Sequence, residues 1–177
     1  STAGSYTLAA NSGTAGASGG TALTVKGDII NNSTNAQTIN MDLALGATST
    51  GIVNTASGNI TIGGAISGPG GVTKQGASTL TLGGNNTYAG TTTLNAGQLN
   101  INNATAIGSG TFTLNGGTLD NTSSGAITLT SNNVQNWNGN FTFTGTKDLN
   151  MGTGNVTMNA SRTVTVNAGN FTVGGII

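Results

Sequence analysis

Short runs in which every second residue is apolar recur along the chain, among them Thr79-Leu80-Thr81-Leu82, Thr91-Thr92-Thr93-Leu94, Gln98-Leu99-Asn100-Ile101, Thr111-Phe112-Thr113-Leu114 and Ala126-Ile127-Thr128-Leu129. A period of two sends alternate side chains to opposite faces of a strand, so each run predicts a strand with one face buried and one in water. The pattern continues through Asn140-Phe141-Thr142-Phe143, Asp148-Leu149-Asn150-Met151, Val156-Thr157-Met158, Thr163-Val164-Thr165-Val166 and Asn170-Phe171-Thr172-Val173. No segment carries a helical period, and the chain reads as all-β.

Between strands one type of corner returns: Leu94-Asn95-Ala96-Gly97, Leu114-Asn115-Gly116-Gly117, Met158-Asn159-Ala160-Ser161 and Val166-Asn167-Ala168-Gly169. Asn and Gly accept positive φ and turn the chain at low steric cost. Asn95 to Asn115 is a step of 20, and Asn115 to Asn159 is 44, or two steps of 22. A repeat of about 20 residues is one coil of a β-solenoid, whereas the strands of a sandwich need not recur at a fixed spacing or share a corner sequence. The expected architecture is a single parallel β-solenoid module over 1–177, with inward Leu, Ile, Val and Phe stacked in columns and outward Thr and Asn in hydrogen-bonded ladders. At about 4.8 Å per rung, about nine rungs make a rod of roughly 40 Å.

The pattern is weakest over the first twenty residues and from Asn31 to Asn40, and 11–20 is expected to be a loop or an irregular rung. A longer repeat lies over the rungs. Val53-Asn54-Thr55-Ala56-Ser57-Gly58-Asn59-Ile60-Thr61-Ile62-Gly63-Gly64-Ala65-Ile66 parallels Val166-Asn167-Ala168-Gly169-Asn170-Phe171-Thr172-Val173-Gly174-Gly175-Ile176-Ile177, with extra residues at the corner. The chain thus stops where its own beginning could resume. The expectation is a module of a longer array or a subunit that meets its neighbours head to tail, with any export signal lying outside these residues.

Composition narrows the function. Only 5% of residues are charged, four Lys plus Arg against four Asp plus Glu, too few cations to neutralise a run of phosphates or an anionic membrane, so nucleic acid is not an expected partner. The absence of His and Cys removes the commonest metal ligands, the usual general base and every disulfide. Gly, Pro and Ser supply about a quarter of the chain, a level also found in disordered segments. The regular alternation argues for folded β instead. No run of apolar residues is long enough for a transmembrane helix.

Two stretches carry a family resemblance. Gly-Ala-Ile-Ser-Gly-Pro-Gly-Gly-Val-Thr-Lys-Gln-Gly at 64–76 and Thr-Leu-Thr-Leu-Gly-Gly-Asn-Asn-Thr-Tyr-Ala-Gly-Thr-Thr-Thr-Leu-Asn-Ala-Gly at 79–97 make residues 63–99 resemble the autotransporter-associated β-strand repeat. Residues 137–177, with Phe-Thr-Phe-Thr-Gly-Thr-Lys-Asp-Leu-Asn-Met-Gly at 141–152 and Arg-Thr-Val-Thr-Val-Asn-Ala-Gly at 162–169, resemble stretches that accompany that repeat in long bacterial surface proteins. The resemblance implies a right-handed parallel β-helix of the autotransporter passenger type, displayed outside a bacterium with an outer membrane, and no catalytic residues. The chain itself shows no series of roughly ten-residue amphipathic strands of the sort a membrane barrel needs.

The candidate sites are correspondingly few. Asp28, Asp42, Asp120 and Asp148 are expected in separate rungs, which argues against the carboxylate pair of a glycan-cleaving β-helix. No Asp recurs in every turn, as calcium-binding solenoids require. No enzyme activity, cofactor or metal is expected. The aromatic patch from Trp137 to Phe143 is expected in the rung core or at a cap. The predicted function is an extracellular structural rod or fibre whose rungs stack axially on copies of itself or on covalent neighbours, through end residues Tyr6, Leu8, Phe171, Val173, Ile176 and Ile177. The competing role is an adhesin that contacts glycans or cell surfaces through outward Thr and Asn and through Tyr88 or Trp137. A third role, ice binding by Thr-x-Thr arrays, rests on the outward threonines alone.

Overall fold

The computed structural model describes residues 7–8, 22–47 and 51–177. Their strands are two to four residues long, and all pair in parallel with strands about 20 residues away. They build three faces. Face 1 is an eight-stranded sheet of Thr7–Leu8, Gln37–Ile39, Ile60–Ile62, Thr79–Leu82, Gln98–Ile101, Thr118–Asp120, Phe141–Phe143 and Val164–Val166. Face 2 comprises two three-stranded sheets, Leu23–Val25 with Leu43–Leu45 and Ile66–Ser67, then Ile127–Thr128 with Leu149–Asn150 and Phe171–Thr172. Face 3 stacks Ile29–Ile30, Ile52–Asn54, Val72–Gln75, Thr92–Leu94, Phe112–Leu114, Gln135–Trp137 and Val156–Met158. The chain visits faces 1, 2 and 3 in that order in each coil, which is the β-solenoid expected from the spacing.

Eight strands on face 1 make eight described rungs separated by seven steps, against the nine rungs predicted by dividing the length by 20. The steps are unequal. The register advances 20 residues from Thr61 to Thr81 and 19 from Thr81 to Asn100, but 24 from Thr118 to Thr142 and 23 from Thr142 to Thr165. The first, from Thr7 to Thr38, takes 31. Extra residues enter at corners, where the period-two pattern of the strands is undisturbed. Seven steps of about 4.8 Å make the ladder about 34 Å long.

The core is a set of columns. Ile60, Leu80, Leu99, Leu119 and Phe143 lie in register on face 1, all buried, and each such side chain stabilises the fold by about 1.5–3 kcal/mol. On face 3 the corresponding column runs Val53, Lys74, Leu94, Leu114, Trp137 and Met158. Trp137, Phe141 and Phe143 are buried, and Phe171 of the last coil packs on both phenylalanines at ring separations of 5.9 and 5.1 Å. The aromatic patch is therefore rung core.

Face 2 loses its strands over two coils, at 83–89 and 102–110, and a side chain keeps the ladder continuous. The Ile66 N–H donates to Asn86 Oδ1 at 2.8 Å, and Asn86 Nδ2 donates to the Ala106 carbonyl at 2.6 Å. A buried amide side chain here stands in for a peptide group.

The corners explain the recurring Asn and Gly. Gly97 adopts φ +70°, and a Cβ there would lie 2.4 Å from the Gly76 carbonyl oxygen one coil away. The segment from Asn31 to Asn40, weakest in pattern, is ordered: Asn31 Nδ2 donates to the carbonyls of Asn35 and Asn59, and Asn31 Oδ1 accepts the Ser33 N–H. Asn121 and Ser123 repeat the arrangement, with Asn121 Nδ2 donating to the carbonyls of Gly125 and Asp148. These loops hold themselves by side-chain hydrogen bonds, which a search for alternating strands does not register. The segment 11–20 lies outside the described residues.

Candidate functional site

Among the described residues no group of three or more His, Cys, Asp or Glu gathers, and the surfaces left to consider are the first and last described rungs and the outward faces of the coil. At the C-terminal end the last strands of the three faces, Val156–Met158, Val164–Val166 and Phe171–Thr172, are edge strands. Their inward columns are uncovered. Met158 is 41% exposed, Val166 47%, Ile176 76% and Ile177 64%, while their column neighbours Trp137 and Phe143 one coil earlier are buried. At the other end Leu23 and Ile30 are 46% and 50% exposed. An open, mainly apolar cavity of about 360 Å³ lies there among Leu23, Val25, Ile29, Ile30, Ile39 and Leu43.

Of the end residues predicted from sequence, Phe171 and Val173 are half-buried and Ile176 and Ile177 protrude. Leu8 belongs to the first strand of face 1, in register with Ile39. Tyr6 lies outside the described residues. Met158, Val164 and Val166 lie in the last described strands of their faces and were not singled out by sequence, because alternation marks them only as inward.

The outward columns combine Thr with amides and acids. Face 3 presents Thr73, Thr93, Thr113, Asn136 and Thr157 in register, and the corresponding column of face 1 runs Thr38, Thr61 and Thr81 and then the buried Asn100 and Asp120. Asparagines form the expected ladder at one corner: Asn115 Nδ2 donates to Asn95 Oδ1 at 2.7 Å, and Asn138 Nδ2 to Asn115 Oδ1 at 3.1 Å. Other polar side chains bind the next coil's backbone, as when the Thr163 N–H donates to Asn140 Oδ1. Much of the polar surface is thus engaged along the axis.

The two aromatic residues expected on the surface of an adhesin are not there. Tyr88 is fully buried and Trp137 is 5% exposed. Thr92 Oγ1 donates to the Ile107 carbonyl at 2.9 Å, so its lone pairs accept the Tyr88 hydroxyl. Burial pushes the Tyr88 phenol well above its ordinary range. Its position in an apparently polar loop sequence hid this, since the apolar surroundings come from other coils.

Three of the aspartates bond to neighbouring coils. Asp42 Oδ1 accepts the Ala65 N–H, and Asp120 accepts the N–H and hydroxyl of Thr146. Asp148 accepts the side-chain and backbone N–H of Asn170, which hold its carboxyl below its ordinary value. Among the described residues no group of three or more His, Cys, Asp or Glu could hold a metal ion, and no helix is long and apolar enough to cross a membrane.

Lys74 is the unexpected residue. It occupies an inward column with no exposed surface, and its Nζ donates to the carbonyls of Gln75, Gly76 and Ala96 at 2.9, 2.7 and 2.9 Å. Burial lowers its ammonium from the usual lysine value to about 8. Three convergent carbonyl dipoles satisfy all three N–H donors, which allows a charge where the column otherwise holds hydrocarbon.

Residues 72–101 match the family model described as Passenger-associated-transport-repeat. They form one coil and a third, from Val72–Gln75 through Thr79–Leu82 and Thr92–Leu94 to Gln98–Ile101, and include Lys74, Asn86, Tyr88 and Gly97. The chain matches no curated protein and no solved structure. Together, the family match and the parallel β-solenoid agree with the autotransporter passenger repeat that residues 63–99 resemble.

Proposed function

We propose that this chain is a segment of a passenger-type stalk, secreted or held at the surface of a bacterium with an outer membrane, whose role is to be a stiff, chemically inert rod. The observation that carries the reading is the unbroken parallel ladder of face 1 across seven steps, joined to a family match that lies within the coil. Every coil hydrogen-bonds to its neighbours on three sides, so stiffness follows from geometry without a ligand. The side faces support this over adhesion, because Tyr88, Phe112, Trp137, Phe141 and Phe143, of the kind that dominates binding surfaces, are buried.

Immunolabelling of intact cells that express the parent gene, before and after permeabilisation, tests location. Label that appears only after permeabilisation would refute surface display. Glycan-array binding that survives blocked ends but is lost on changing Thr93 and Thr113 would replace the rod reading by adhesion.

A further inference from the structure

We infer that Asn115 is a self-modifying site, where the backbone nitrogen of Gly116 displaces the side-chain amide and leaves a carboxylate on the outer corner of the coil, while the matching pair Asn138 and Gly139 one coil on is protected by the fold. The inference does not depend on the rod reading.

At the corner after face 3, Asn95, Asn115, Asn138 and Asn159 each follow the last residue of a strand, and those last residues, Leu94, Leu114, Trp137 and Met158, lie in register. Asparagines therefore stack one above another on the outside of the coil, and Asn95, Asn115 and Asn138 are exposed to water. The chain contains two Asn-Gly pairs, 115–116 and 138–139, and both belong to this stack. A glycine has no Cβ to hinder approach of its own nitrogen to the preceding side chain, and it leaves the backbone most free to rotate into that approach. Asn95 and Asn159 are followed by alanine.

The two pairs differ in the state of the attacking nitrogen. The Gly139 N–H donates to the Leu114 carbonyl at 3.0 Å, and the same carbonyl accepts the Asn138 N–H at 2.8 Å. Gly139 is also pressed against the neighbouring coil, where a Cβ would lie 2.1 Å from the Asn115 carbonyl oxygen. The Gly116 N–H, by contrast, has no hydrogen-bond partner among the described residues. The space beside it is open, since a Cβ on Gly116 would meet nothing nearer than the Asn95 carbonyl oxygen at 3.7 Å. The stack also prepares the carbon under attack. Asn115 Oδ1 accepts the Asn138 Nδ2–H at 3.1 Å, which draws charge from Cγ and stabilises the oxyanion that forms on attack.

In the first step solvent hydroxide removes the Gly116 amide proton, and the nitrogen forms a bond to Asn115 Cγ. The Cγ–Nδ2 bond breaks, Nδ2 takes up a proton from water and leaves as ammonia, and a five-membered imide remains. Water then opens the imide at one of its two carbonyls. Opening at Cγ restores the original main chain with an aspartate, and opening at the main-chain carbonyl routes the chain through the β-carbon as isoaspartate. One water is consumed and one ammonia released, with no change of oxidation state. The corner accommodates the aspartate product. Asn138 Nδ2 still donates to it, and Asn95, whose Oδ1 accepts from Asn115 at 2.7 Å, can turn its amide over to donate in place of accepting. Each event adds one negative charge to a chain whose formal net charge is +0.

Incubation of the purified chain at mildly alkaline pH, followed by peptide mass spectrometry with isoaspartate resolved, tests this. In the folded chain residue 115 should convert at least about fivefold faster than residue 138, a ratio equivalent to about 1 kcal/mol, the net worth of one hydrogen bond. In the chain unfolded by urea the two sites should convert at similar rates, because both are then plain Asn-Gly pairs. Ammonia release should match the sum of the conversions, and isoelectric focusing should show a growing acidic band. Asn115→Gln keeps the carboxamide but requires a larger ring, and it should abolish most of that band. A folded-state ratio below about fivefold overturns the inference, as does an acidic band that persists undiminished in Asn115→Gln. So does a preference for residue 115 that survives unchanged in urea, since the fold would then have no part in it.

Discussion

Asn86 Oδ1 accepts the Ile66 N–H at 2.8 Å across the interruption in face 2. With its Nδ2 on the Ala106 carbonyl, one side chain satisfies a buried donor and a buried acceptor from coils on either side. Asn86→Ala strands both groups. An unmet buried polar group costs about 1–3 kcal/mol, so urea denaturation should show a loss of about 2–4 kcal/mol. A loss below about 0.5 kcal/mol would mean that the bridge is dispensable.

Lys74 gives a pH dependence of known sign. Its ammonium titrates at about 8 in the fold against 10.5 in the unfolded chain. Between those values the unfolded state binds more protons, so stability rises with pH. Denaturation midpoints measured from pH 7.5 to 9.5 should climb for the wild type and stay flatter for Lys74→Met. Equal slopes would place the lysine outside the titration.

Tyr88 acts in the opposite direction at higher pH. Its folded phenol is held above the ordinary tyrosine value of 10.0, so above pH 10 the unfolded chain loses a proton that the fold retains, and stability falls as pH rises. Tyr88→Phe should lose about 1 kcal/mol at pH 7 with the hydrogen bond to Thr92. The same variant should show a shallower alkaline decline, read as thermal midpoints from pH 9.5 to 11.

Two glycines should respond oppositely to alanine. Gly97 has φ +70° and a neighbouring carbonyl oxygen 2.4 Å from where Cβ would stand, so Gly97→Ala should destabilise by about 1–3 kcal/mol. At Gly125 a Cβ meets nothing within 4 Å and φ is not positive. Gly125→Ala should be neutral or stabilise by up to about 1 kcal/mol, since it removes freedom from the unfolded chain. Thermal melts of the pair decide both.

At Asp148 the Asn170 donors hold the carboxyl below its ordinary value. The stability they supply is present above pH 3.8 and is lost as pH falls through the folded value. Asp148→Asn should lower stability slightly at neutral pH, where the carboxylate's contribution is present, and flatten acid denaturation below about pH 4. An unchanged acid limb would remove Asp148 from the linkage.

The strands and corners were legible in the sequence because their causes are local. Alternation in Thr79–Leu82 or Phe141–Phe143 fixes which side chains share a face within a few residues, and Asn-x-Gly corners announce their own geometry at Gly97 and Gly169. Spacing between corners then implies a coil. What the sequence could not determine depends on residues a full coil away. Lys74 and Thr92 occupy inward positions because carbonyls and hydroxyls from other coils complete their bonds. Tyr88 is interior with its hydroxyl on Thr92, whose own hydroxyl donates to the Ile107 carbonyl of the next coil. Val166 and Phe143 read alike as inward apolar residues of the same column, yet one is 47% exposed and the other fully buried. Phe143 is covered by the strand Val164–Val166 and by the Phe171 ring, contacts from a coil away that only stacking in three dimensions supplies.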